Sequence, residues 1–170
     1  DNAMAGSAVN TATAMKMTGS ETKTAMFILI PVIILILILS TTSWLEPALY
    51  LIAIGVSVLI NMGTNIFFGE ISFISNSISP ILQLAVSLDY AIFLLHSFEA
   101  FRKKTDDVNE AMRLAVRQAF SSVAASAATT LFGFLALVFM NFQIGANLGL
   151  VLAKGIILSF LSVILFLPPL

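Results

Sequence analysis

The sequence predicts an all-α integral membrane protein, with five transmembrane helices and a cytoplasmic interfacial amphipathic helix between the third and the fourth. Three observations lead there. Of its 170 residues 59% are hydrophobic and only 10% charged, where a soluble domain carries roughly 25% charged residues. Mean hydropathy is +1.03. The apolar residues gather into five runs, at 24–43, 48–68, 79–98, 119–140 and 146–167, each close to the ~20 residues a helix needs to cross about 30 Å of hydrocarbon. Lipid offers backbone N–H and C=O groups no partner, so spanning runs of this kind must be helical.

Residues 1–22, before the first run, are small, polar and weakly patterned. Residues 23–170 are expected to form the transmembrane domain. No charged stretch and cleavage site precede the first run, so no signal peptide is expected. The start at Asp1 and the stop after Pro168-Pro169 suggest a piece of a larger membrane protein. Trp44 suits an interfacial position, and Pro47 can open the second helix. Ser79-Pro80 reads as an N-cap and first-turn proline for the third. Pro168-Pro169 should stop the fifth.

Orientation follows from the basic residues. Five of eight, Arg102, Lys103, Lys104, Arg113 and Arg117, lie between the third and fourth runs. The positive-inside rule then puts the 99–118 connection and the carboxyl terminus in the cytoplasm, and residues 1–22 outside. Within that connection, Val108, Ala111, Met112, Ala115, Val116 and Ala119 recur at helical spacing, which predicts an amphipathic helix over about 106–118. Asp107 and Glu110 form a capping-box start. Arg113 and Arg117 would reach anionic lipid headgroups; a calmodulin-type target helix is the less favoured reading of the same pattern.

Chemistry is narrowed by what is missing. There are no cysteines and one histidine, which excludes disulfides, thiolate catalysis and Cys- or His-based metal clusters. No nucleophile arrangement or phosphate loop suggests an enzyme, no cofactor is called for, and no basic stripe suggests nucleic acid.

The exception to the apolar pattern is Asp89, within LQLAVSLDYAIFLLHSF. It lies about ten residues into its run, hence about 15 Å deep. A charge at that depth costs roughly 2.5–3.5 kcal/mol on insertion scales. Desolvation favours the protonated form of a carboxyl group, so an intramembrane acid is a candidate proton carrier; the alternative is a structural aspartate locked to polar neighbours. On the fourth run Ser122, Ser126 and Thr130 follow at four-residue intervals beside Ala125, Thr129 and Gly133. Such a stripe permits close helix approach and interhelical bonding, or plain packing. Asn61, Thr64 and Asn65 make a polar patch on the second run, read as packing. Lys154 in the fifth run can pair with Asp89 or snorkel to the outer interface, the latter preferred. His96, seven residues beyond Asp89 on the same face, is a candidate for proton entry.

SLDYAIFLLHSFEAFR, NEAMRLAV, AASAATTLFGFLALVFM and LGLVLAKGIILSFLSVILFLPPL together resemble the MMPL transporters of the resistance–nodulation–division (RND) superfamily. The specific element is the intramembrane pair Asp89-Tyr90. The resemblance implies that the five runs are helices two to six of one six-helix half and that residues 1–22 are the end of the extracytoplasmic domain before them; TTSWLEP and NMGTNIFFGEISF suggest the first half of a Gram-positive-like member. It also implies proton-driven export of lipids or other hydrophobic molecules across the bacterial plasma membrane. Asp89 and Tyr90 would meet an equivalent pair from a second half not present in this chain. The proton-site serine would be Ser126, with Ser121 or Ser122 as lesser matches; Thr129 and Thr130 lie at the same depth. Two other functions fit related helix sets: a sterol-sensing-like module that binds lipid or partner helices, and a Sec-associated RND protein that assists protein export.

Overall fold

All five expected helices form. The structure is a computed structural model that describes residues 7–41, 45–68, 71–140 and 142–169. The helices are α1 (Ser7–Ser40), α2 (Leu45–Thr64), α3 (Phe73–Arg102), α4 (Val108–Val138) and α5 (Gln143–Phe166), and a 3-10 turn (Asn65–Phe68) tightens the end of α2. Each is long and apolar enough to cross a membrane. Among the described residues there is no strand.

α5 and α3 are the centre of the bundle: α5 packs on α2, α3 and α4, and α3 touches every other helix. α1 lies at the edge. It buries Ile33 and Leu37 and exposes Phe27 (81%) and Leu39 (78%) on its other side. Those side chains cost nothing when hydrocarbon is the solvent. On α4 the buried row is Ala111, Ala115, Ala119, Val123 and Ala127, an i, i+4 line of small residues that lets neighbours approach closely. The rings of Phe120 and Phe160 meet across the α4–α5 contact with centroids 5.5 Å apart.

Several helix boundaries differ from the sequence expectation. α1 takes in most of the polar stretch before the first run. α3 starts at Phe73, so Pro80 is an interior residue rather than the opening of the helix. Ser79 is then buried, and it bonds across to α2 instead of capping α3. The amphipathic stretch expected at 106–118 is helical from Val108 and continuous with the fourth span. Of its apolar side, Ala111, Ala115 and Ala119 are buried in the bundle, Met112 and Val116 are half-buried and Val108 is exposed. Asp107 does cap α4, accepting from the Asn109 N–H at 2.9 Å and the Glu110 N–H at 3.5 Å. Glu110 does not complete a capping box, because its carboxylate is held by Arg113 at 2.7 and 2.9 Å. Pro47 lies in the first turn of α2 and α5 stops before Pro168-Pro169, as read from the sequence; Trp44 lies outside the described residues.

Gly149 sets the closest helix approach. A Cβ there would stand 2.5 Å from the Phe134 carbonyl oxygen and 3.0 Å from the Leu137 Cβ. Backbone cannot turn aside as a side chain can, so Gly149→Ala must push α5 off α4. We expect a loss of about 1–3 kcal/mol, read as a lower thermal unfolding temperature. Gly133→Ala, with nothing within 4 Å of the added carbon, should leave stability unchanged or slightly raised.

Candidate functional site

Asp89 and Tyr90 are neighbours in sequence and point apart, as successive helical residues must. Tyr90 is buried, with 2% of its surface exposed. Its hydroxyl faces Thr130 and Ser126 of α4 without a hydrogen bond of good geometry to either. Asp89 is exposed on the outside of this five-helix set. From Phe73 to Asp89 the helix rises about 24 Å, and about 20 Å more to Arg102, so the carboxylate sits near the middle of α3. Among the described residues the ion pair formed is Glu110–Arg113, and no hydrogen bond reaches Asp89.

The exposed side of α3 runs through Ala85, Asp89, Phe93 and His96. On α4 the residues Ser121, Ser122, Ala125, Ser126, Thr129 and Gly133 are exposed as well. Of the expected site residues, Asp89, His96, Ser126 and Thr129 are thus exposed, Thr130 is half-buried and Tyr90 is buried. Thr129 and Thr130 donate their hydroxyls to the carbonyls of Ala125 and Ser126, each at 3.0 Å. Their protons are thus committed to their own helix, and their oxygens remain free to accept. Within this chain Asp89 lies on the perimeter, with Tyr90 taking the interior position.

Lys154 reaches the end of α2 rather than Asp89. Its ammonium donates to the Asn61 carbonyl oxygen (2.9 Å), Thr64 Oγ1 (3.0 Å) and Asn65 Oδ1 (2.6 Å). These acceptors close the end of α2, where unpaired carbonyls and the negative end of the helix dipole favour a cation. Protein oxygens, rather than Asp89, satisfy the charge. The Asn61–Thr64–Asn65 patch is accordingly a cation seat as well as a packing surface.

Below it runs a buried polar seam that the sequence reading missed. Asn61 Nδ2 donates to Ser79 Oγ (3.2 Å) and Gln83 Oε1 (2.8 Å), and Gln83 Nε2 donates to Ser57 Oγ (3.1 Å). Ser87 donates to Ser159 Oγ (2.7 Å), which donates to the Gly155 carbonyl (2.8 Å). All six side chains are at most 2% exposed. The signal was present as two i, i+4 rows: Ser57, Asn61 and Asn65 on α2, and Ser75, Ser79, Gln83 and Ser87 on α3. Gly155 is required here, because a Cβ would stand 3.1 Å from Asn61 Nδ2. No group of three or more metal-ligating side chains assembles among the described residues.

The MMPL family model matches residues 3–170, nearly the whole chain. The chain belongs to the MMPL family. Curated relatives agree with that placement. The putative membrane protein MJ1562 of Methanocaldococcus jannaschii is 39% identical over 89 residues, covering 52% of this chain and 23% of that protein. The membrane protein YdfJ of Bacillus subtilis is 29% identical over 119 residues, covering 69% of this chain and 16% of the relative. The probable transport protein MmpL12 of Mycobacterium tuberculosis is 28% identical over 140 residues, covering 80% of this chain and 12% of that protein. The chain thus spans less than a quarter of the length of these relatives. No solved structure matches it. With its five apolar helices, this MMPL chain is a multi-pass membrane protein.

Proposed function

We propose that the chain forms part of one half of a plasma-membrane transporter that exports lipids or other hydrophobic molecules at the expense of proton influx. Asp89 and Tyr90 supply half of its intramembrane proton site. The observation that carries this reading is the exposed carboxylate at mid-span. In hydrocarbon, an aspartate without a partner is costly enough that its face calls for a second polar surface against it. The small residues of α4 beside it suit the close approach of another helix. A second half bearing its own Asp-Tyr pair would place carboxylate against tyrosine across that contact. Protonation would then change how the two halves bond, and so bias their packing between two arrangements. Ser126, Thr129 and Thr130 offer acceptor oxygens beside Tyr90, and His96 lies on the same face toward the cytoplasmic end for proton entry.

In this reading the turn between α3 and α4 is cytoplasmic and the amino-terminal residues are extracytoplasmic. Lys103, Lys104, Arg113 and Arg117 are exposed at that end, where anionic headgroups would each contribute about 1 kcal/mol of attraction per basic residue. Family membership and the transport wording of the mycobacterial relative's name support a transporter over an enzyme. A bulky residue on the proposed contact tests the proposal. Thr129→Phe in the full-length transporter should lower substrate export at least tenfold at equal membrane abundance. Leu39→Phe, on the outer side of α1, should leave export unchanged. Export at the wild-type rate by Thr129→Phe would refute a functional contact on this face.

A further inference from the structure

At the end of the bundle opposite Lys154, a cavity of about 440 Å³ opens between the start of α2, the last turns of α3, the start of α4 and the end of α5. We propose that it binds a monovalent organic cation with an apolar or aromatic body, an amine or quaternary ammonium amphiphile taken from the adjacent membrane interface. The volume lies in the range of small-molecule sites. Glu46 supplies the charge, and one of its carboxylate oxygens, Oε2, is buried without a hydrogen-bond partner. Glu46 and Glu99 both act electrostatically on the neighbouring Tyr50 hydroxyl.

No lysine or arginine lines the cavity, and several nearby basic groups are committed elsewhere. Arg102 donates to the carbonyls of Thr105 and Asp106 at 3.2 and 2.9 Å. Lys104 lies over the Phe101 ring at 5.4 Å, and Arg113 is held by Glu110. The rest of the wall is chemically matched to a lipophilic cation. The Tyr50 and Phe98 rings are of the kind that attract ammonium groups, and Leu95, Met112 and Leu167 offer apolar surface. A hard metal ion would need six or more oxygen ligands, more than the one carboxylate, one phenol and one amide side chain of Glu46, Tyr50 and Asn109 provide. An anion would meet the carboxylate directly.

The test uses radiolabelled benzyltrimethylammonium and the purified protein in phosphatidylcholine nanodiscs, measured by equilibrium dialysis against empty nanodiscs. Saturable binding is expected. It should weaken at least tenfold in Glu46→Gln and by no more than about threefold in Glu46→Asp, which keeps the charge if the glutamine variant folds poorly. Glu110→Gln removes an exposed carboxylate from the same end of the molecule and should bind like the wild type. Absence of saturable binding, undiminished binding by Glu46→Gln, or an equal loss in Glu110→Gln would each overturn the proposal.

Discussion

Asp89→Asn is expected to reduce gradient-driven export by the full-length transporter to background, at unchanged membrane abundance. Asparagine keeps the size of the side chain and most of its hydrogen-bonding capacity, and loses only the proton. The described structure gives Asp89 no partner inside the chain, so folding of these five helices does not depend on its charge. Insertion should improve slightly, because a neutral side chain is less costly in hydrocarbon. Asp89→Glu keeps the carboxyl group but moves it by a methylene, and should retain partial activity. If Asp89 were merely structural, asparagine would preserve its bonds and export would persist. Export at the wild-type level by Asp89→Asn would therefore remove the proton-carrying role and leave the family assignment intact.

Asn61→Leu should lower stability about as much as Gly149→Ala. The substitution keeps the branched skeleton of the side chain and removes the amide that donates to both Ser79 and Gln83. Each acceptor is then buried without its donor, at a cost of about 1–3 kcal/mol in soluble proteins. Interhelical bonds in membranes average less, about 0.6 kcal/mol, because the separated helices also find partners. Two bonds lost together place the expected destabilisation at about 1–3 kcal/mol, read as a lower unfolding temperature in detergent. Asn61→Leu combined with Gln83→Leu should be less destabilised than the sum of the two single variants, because the double change removes both sides of the bond. An unfolding temperature unchanged by Asn61→Leu would mean that the seam contributes nothing to the α2–α3 contact.

The existence and order of the helices were legible because lipid leaves the backbone no other solution. Their ends were less so. An apolar run marks the thickness of hydrocarbon, whereas a helix stops where its backbone loses partners, so α3 begins at Phe73 and continues through Arg102. The alanine row from Ala111 to Ala119 was readable as one helical face. Its burial in the bundle was not, because small residues serve a helix contact and an interface alike. Lys154 shows the same limit. Its own helix suggested an acidic partner or the outer interface, and the three oxygens that hold it belong to α2. The polar seam was written in four-residue spacing, but serines and amides in an apolar run draw less notice than a formal charge. Asp89 stood out for that charge, and the side of the bundle it faces depended on how α3 packs.

Proton movement can be separated from substrate handling in one measurement. The full-length transporter, reconstituted in liposomes with a trapped pH-sensitive dye, is given an inward proton gradient, and acidification is compared between the wild type, Asp89→Glu and Asp89→Asn. The proposed site predicts acidification by the wild type above empty liposomes, a reduced rate for Asp89→Glu, and the rate of empty liposomes for Asp89→Asn. Acidification by Asp89→Asn at the wild-type rate would contradict it.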